Sequence, residues 1–226
     1  MPTYNERASI AELVRRIFAS CPAAQVLAVD DASPDDTAQV VLALQSMYPA
    51  LYLLQRSAKL GLGSAYREGF RYALERGAEV VGQMDADLSH QPEDIPRLLA
   101  ALGEGIDVAI GSRRVPGGRV VGWSWRRHLM SWGAATCARL VLGLTTRDVT
   151  AGFRLYTKKA LEAIPWASVT SNGYAWQEEV LYLVERAGLL VAEVPVVFVD
   201  RTRGASKLNL GSIVEFFKTI FRLFIQ

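Results

Sequence analysis

The chain has 226 residues, half of them hydrophobic and 21% charged, with a formal net charge of +2. That length buries a full-size core, and the charge balance lacks the basic excess of a nucleic-acid-binding protein. No run approaches the eighteen or so apolar residues of a spanning helix, and no signal-peptide core opens the chain. Cys21 and Cys137 stand at no metal-ligand spacing, so a reduced, cytosolic protein is expected. In chain order, the first half alternates strands at 25–29, 51–54, 79–84 and 108–110 with helices at 37–47, 64–76 and 92–102. This pattern indicates βα units on a mainly parallel sheet, in which ligands bind beyond the carboxyl ends of the strands.

From Val115 the texture changes. A Pro-Gly-Gly turn leads into a Trp- and Arg-rich segment, with helices expected at 128–142 and 178–187, a strand at 194–199 and a last helix at 212–225. The chain reads as one domain over 1–226, with a nucleotide-binding half at 1–114, an acceptor-binding half at 115–211 and a tail helix at 212–226.

Asp85-Ala86-Asp87 directly follows an apolar run. At a strand end, positions i and i+2 project to one side, and two carboxylates held there suit a hard divalent cation shared with substrate phosphates. An acidic loop ahead of a helix beginning at Pro92, Glu93 and Asp94 is the alternative. Asp30-Asp31 closes an earlier strand and suits hydrogen bonds from a ribose or base edge. Just after it, Ser33, Pro34 and Asp36 have the pattern of a helix start. Gly61 and Gly63 do not form a dinucleotide fingerprint, because Tyr66 occupies the third glycine position; they are expected to shape a turn before a helix.

Seven motifs, in order, carry a family resemblance. They are Pro2-Thr-Tyr-Asn-Glu6, Val29-Asp-Asp-Ala-Ser-Pro34, Gly61-Leu-Gly63, Asp85-Ala-Asp-Leu-Ser-His90, Gly111-Ser-Arg113, Gly152-Phe-Arg154 and Asp200-Arg-Thr-Arg-Gly-Ala-Ser-Lys207. Together they resemble dolichol- or polyprenol-phosphate mannosyltransferases, inverting family-2 glycosyltransferases. The resemblance implies a GT-A-like α/β fold, a mainly parallel twisted sheet flanked by helices. It implies that Pro2, Tyr4, Glu6, Val29 and Asp31 hold the nucleoside. Asp85, Ala86 and Asp87 take the diphosphate and a Mg2+ or Mn2+ ion, with Asp87 the foremost ligand. Arg113, Arg201 and Lys207 surround the diphosphate, and Arg127 with Ser131 holds the acceptor phosphate; spaced four apart on a helix, those two share a face. Ser89 stands where some relatives carry a glutamine as a further metal ligand.

The implied reaction transfers mannose from GDP-mannose to a polyprenyl or dolichyl phosphate at the cytoplasmic face of a membrane. UDP-glucose or a UDP-aminosugar is the competing donor, and a non-catalytic nucleotide- or lipid-phosphate-binding module is the competing class. A dianionic phosphate acceptor needs no general base, so Glu179 is expected at most to orient and Glu178 to be a solvated helix residue. The family places a strand before Pro2, so a natural chain beginning upstream of Met1 is expected. Ser212 and Glu215 have a capping-box pattern, and the phenylalanines that follow, with Trp123, Trp125 and Trp132, suit a peripheral helix at a membrane surface. A tail that packs on the domain's own core is the alternative, and a membrane-anchoring subunit or a transmembrane segment beyond Gln226 is the further possibility.

Overall fold

The computed structural model describes residues 1–103, 105–200 and 210–225. β1 (Pro2–Thr3), β2 (Val26–Asp30) and β3 (Leu51–Gln55) form a parallel sheet in the order β1-β2-β3. Apolar residues at Ile10, Leu13, Val14 and Ile17 give α1 (Ile10–Ser20) the i, i+3, i+4, i+7 stripe that it buries. α2 is Thr37–Gln45 and α3 is Leu62–Glu75.

A second sheet has the order β4-β7-β5-β8, built from β4 (Val80–Gln83), β5 (Val108–Ser112), β7 (Arg154–Thr157) and β8 (Val191–Pro195). β7 is antiparallel to both β4 and β5, while β8 runs parallel to β5. Hydrophobic periodicity does not reveal β7, because the strand is four residues long and opens on an arginine. Arg154 is fully buried and donates to the carbonyls of Ala151, Val149 and Gln177 at 2.8–2.9 Å, which satisfies a charge that burial would otherwise penalise.

The expected strand at 194–199 is two. β8 ends at Pro195, and β9 (Val197–Val199) leaves the main sheet to pair with β6 (Arg119–Val121). α4 spans Ile95–Ala101 after a short 3₁₀ turn, α5 spans Trp125–Leu142, α6 Lys158–Ala163, α7 Trp176–Arg186 and α8 Leu210–Phe224. The helix start expected at Ser33 is not formed. Asp36 takes the left-handed conformation, φ 65°, and α2 begins only at Thr37. Ser33 is occupied elsewhere, donating its hydroxyl to Asp30 and accepting the Asn5 N–H.

Two apolar cores result. One lies under β2 and α1 with Met84, Leu98 and Phe153, and the other gathers Tyr66, Phe70, Tyr156, Trp166 and Trp176. Between the sheets, a cavity of about 400 Å³ runs along Val26, Leu27, Val80, Val81 and Gly82. Met1 enters it, and its backbone nitrogen donates to Leu27 O at 2.8 Å.

Candidate active site

The carboxylate pair stands at the end of β4. Met84 and Ala86 are buried on the core side, which turns Asp85 and Asp87 the other way, as alternation along an extended chain requires. Tyr66 donates its hydroxyl to Asp85 Oδ1 at 3.4 Å, and His90 Nε2 lies 3.2 Å from Oδ2. Burial, then the Asp85 charge, raises the Tyr66 phenol well above its ordinary range, so it stays a donor. His90 is itself wedged against Phe153 and Phe198. Gly152 approaches the same carboxylate; a Cβ there would fall 3.4 Å from Asp85 Oδ2. Asp87 Oδ1 accepts the Ser89 N–H at 3.0 Å.

Among the described residues no group of three or more His, Cys, Asp or Glu side chains is placed to enclose a metal. Two carboxylates of adjacent alternation are nevertheless a fitting partial set for a hard cation that completes its shell with water and substrate oxygens. A half-buried Asp85 held by Tyr66 and His90, and an Asp87 fixed by its own loop, meet that requirement.

The predicted nucleoside residues gather at the carboxyl ends of β1 and β2. Pro2 pairs in register with Val29, and the Lys59 ammonium lies 3.9 Å above the Tyr4 ring. Glu6 accepts the Ser9 hydroxyl and offers its N–H to Thr37. Asp31 meets Arg56 at 2.7 Å and accepts the Gly61 N–H at 3.1 Å. It therefore shapes the turn in which Gly61 has φ 103°, and α3 follows as expected, starting at Leu62. Asp30, fully buried, accepts from Thr3 and Ser33 and has a structural task.

On the other wall, Asp148 collects arginines. It accepts the backbone N–H of Arg113 and the Nε and Nη2 of its guanidinium at 2.7–2.8 Å, while Arg114 Nε stands 3.6 Å away. Burial alone would raise the Asp148 carboxyl, but Arg113 outweighs it and holds the group below its usual range.

Arg127 and Ser131, expected together at the acceptor phosphate, take different partners in the structure. Both lie on α5, which begins after Ser124, a cap accepting the Arg127 N–H. Arg127 turns to Asp200 at 2.7 Å and covers the Trp123 ring, whereas Ser131 Oγ accepts from Arg114 Nη2 at 3.0 Å. Arg113, Arg114, Arg119, Ser131 and the rings of Trp123, Trp125 and Trp132 line a pocket of about 630 Å³. Arg201 and Lys207 lie outside the described residues.

Glu178 departs from what the sequence leads one to expect. Glu178 is 3% exposed and so is no solvated residue. Glu179 is a fastening: it accepts the N–H groups of Thr170 and Ser171 and the Arg222 guanidinium of α8.

A family model, glycosyl transferase family 2, matches residues 1–164. The chain belongs to glycosyl transferase family 2. This family-2 glycosyltransferase is 44% identical over 215 residues to the undecaprenyl-phosphate mannosyltransferase of Micrococcus luteus, covering 95% of this chain and 88% of the relative. It is 43% identical to the polyprenol monophosphomannose synthase of Mycolicibacterium smegmatis, covering 95% of this chain and 82% of that one. Its fold is GT-A-like. It superposes on glucosyl-3-phosphoglycerate synthase from Mycobacterium tuberculosis in complex with Mn2+, UDP-glucose and phosphoglyceric acid with a TM-score of 0.69, at 20% identity, over 99% of this chain and 77% of that one.

The glycosyltransferase's Trp-Arg segment is also a surface. Trp125, Leu129, Met130 and Trp132 of α5 are exposed, Trp125 to 70%. α8 packs on α5 and α7 and exposes Phe217, Phe221 and Phe224, while Ile220 and Leu223 are buried. The tail helix thus docks on the domain with one face and presents an apolar ridge with the other. It begins at Leu210, so position 212 lies within its first turn rather than ahead of it, and Glu215 accepts the Gly173 N–H. No helix among the described residues is long and apolar enough to cross a membrane.

Proposed function

We propose that this glycosyltransferase moves mannose from GDP-mannose to a polyprenyl phosphate, of dolichyl or undecaprenyl type, with inversion, at the cytoplasmic face of a membrane. The observation that carries the reading is the pocket in which Arg114 and Ser131 stand beside Trp125, Leu129 and Trp132. Cations and a hydroxyl at one end suit a phosphate. Three apolar side chains that belong at once to the pocket wall and to the exposed surface suit the chain attached to that phosphate. The two mannose-transferring relatives support the same sugar and acceptor class.

Asp85 and Asp87 would hold a Mg2+ or Mn2+ ion, which neutralises charge growing on the departing diphosphate. Tyr66 and His90 keep Asp85 in place for it. Pro2, Tyr4, Glu6, Val29 and Asp31 form the nucleoside end. Arg113, aligned by Asp148, lines the acceptor pocket. It feels the Asp85 charge, so it is placed to attract the phosphates of both substrates. The acceptor's second ionisation lies near pH 6; its own oxygen attacks the anomeric carbon, and no side chain has to remove a proton. Attack opposite the leaving diphosphate converts an α-linked donor into a β-linked product.

The test is transfer by purified protein with Mg2+ or Mn2+, a polyprenyl phosphate and either GDP-mannose or UDP-glucose. A β-mannosyl lipid from GDP-mannose is expected. Preference for UDP-glucose, or no transfer to the lipid phosphate, would overturn the assignment.

A further inference from the structure

One buried carboxyl in this site has no task in the mechanism above. Glu178 lies in the first turn of α7 with only 3% of its surface exposed, and its Oε2 has no hydrogen-bond partner among the described residues. Its neighbours in the chain are fixed: the Gln177 side chain accepts from Gln83 Nε2 at 2.7 Å, the Gln177 carbonyl takes Arg154, and Glu179 is held by Thr170, Ser171 and Arg222. The backbone that carries Glu178 therefore has little freedom to turn it elsewhere.

Among the described residues, the charged groups that act on it are Arg154, Arg113 and Asp148. A carboxylate between two arginines is ordinarily paired with one of them. Here each is engaged with other groups. Arg154 donates to three carbonyls, and Arg113 is bound to Asp148 and Thr150. Burial then dominates and pushes the Glu178 carboxyl up to about 7, against the lowering influence of its own backbone N–H and the two arginines. An unsatisfied polar atom of this kind is rare in a folded protein and calls for a partner.

Its location says which part of the substrates can be that partner. Gly152 lies against both the Asp85 carboxylate and the Gln177 side chain; a Cβ there would fall 3.4 Å from the first and 3.5 Å from the second. Arg113 stands within electrostatic reach of both Asp85 and Glu178. Glu178 therefore follows directly on a residue that Gly152 joins to the carboxylate pair, and it lies within electrostatic reach of Arg113. On the proposed reaction, each substrate brings a phosphate to this region, and a carboxylate beside either one is repelled. The group that lies between the two phosphates is the sugar, which is neutral and carries hydroxyls.

We infer that Glu178 receives a hydroxyl of the transferred sugar and selects the donor by it. This deepens the reading of the site as a sugar-nucleotide transferase and rests on it. A site built to hydrogen-bond a hydroxyl rejects the analogue that lacks it, because its own polar atom is then left unpaired.

The test uses the full chain with Glu178→Gln and Glu178→Ala, GDP-mannose, its 2-, 3-, 4- and 6-deoxy analogues, and GDP alone. Turnover and equilibrium binding are both measured. Glu178→Ala is expected to lower kcat/KM for GDP-mannose about tenfold to a hundredfold, and to reduce the preference for GDP-mannose over GDP in binding. One deoxy analogue should lose as much with the wild-type chain and lose nothing more with Glu178→Ala, which is the coupling expected of a direct contact. Glu178→Gln should not melt below wild type, because it removes a buried carboxyl whose Oε2 no described residue pairs; a framework role would lower its melting temperature.

Equal deoxy penalties in wild type and Glu178→Ala would overturn the inference, as would a loss confined to the KM of polyprenyl phosphate. If the wild-type chain bound or used UDP-glucose and not GDP-mannose, the proposed function would fail, and the same coupling test with UDP-glucose analogues would still decide the role of Glu178.

Discussion

Arg114, and not Arg127, is the arginine that meets Ser131: its Nη2 donates to the Ser131 carbonyl at 2.8 Å and to the hydroxyl at 3.0 Å. Arg127, one helical turn before Ser131, is taken up by Asp200. Arg114→Ala is therefore expected to raise the KM for polyprenyl phosphate by roughly tenfold or more, the worth of one charge-assisted hydrogen bond. Arg127→Ala should raise it less. Steady-state kinetics with the acceptor varied separates the two, and a larger acceptor effect from Arg127→Ala would reverse the assignment.

Asp148 aligns both arginines from a fully buried position. Removing one partner of a buried ionic cluster leaves charge uncompensated, at a cost of about 3–5 kcal/mol. Asp148→Ala should lose stability on that scale in urea unfolding and should also weaken the acceptor. Asp148→Asn, which keeps the shape and some of the hydrogen bonds, should lose less of both. A variant as stable as wild type would show that the cluster adds nothing.

Metal removal is the next check. Excess EDTA should abolish transfer, and added Mg2+ or Mn2+ should restore it. Asp87→Ala should lose most activity and Asp85→Ala somewhat less. Both variants should fold, since neither carboxylate belongs to a core cluster. Full turnover in EDTA would end the metal assignment.

The tail helix cannot be tested by deleting it, because Arg222 bonds the buried Glu179 at 2.6 Å and Ile220 and Leu223 belong to the core. Its outward face can. Changing Phe217 and Phe221 together to asparagine removes two rings exposed to 54% and 66%. Flotation on anionic-lipid vesicles should fall about tenfold, from lost apolar burial. Melting temperature and turnover on a short, water-soluble acceptor phosphate should hold. Unchanged flotation would place the membrane contact elsewhere.

Glu178 also predicts a pH dependence of stability. Its carboxyl is raised from 4.5 to about 7 in the folded state, so the folded chain binds that proton more tightly than the unfolded one. The resulting stabilisation is complete below about 4.5 and is lost as pH rises through about 7, a change of roughly 3 kcal/mol at most. The difference between wild type and Glu178→Gln in urea unfolding should follow this curve, with the variant gaining relative to wild type towards pH 8. A difference independent of pH would mean that Glu178 is already ionised when buried.

Much of this site is legible in the amino-acid sequence. Asp85-Ala86-Asp87 follows an apolar strand, so alternation alone puts both carboxylates on one side, and Gly61 ahead of an amphipathic run marks the turn into α3. These features depend on neighbours in the chain, and local sequence determines them. The partners of charged side chains are a different matter. Arg127 and Ser131 share a helix face by spacing, yet an aspartate 73 positions away takes one and an arginine 17 positions away takes the other. Glu178 and Glu179 are adjacent, buried and chemically alike, but one has an oxygen unpaired among the described residues while the other fastens the tail helix. β7 escapes a periodicity argument because its first residue is an arginine, and only three carbonyls outside its own strand make that burial tolerable. Sequence determined where the acids and cations stand along the chain. Tertiary structure decided which of them neutralise one another, because a buried charge is stable only beside a partner that folding alone brings within reach.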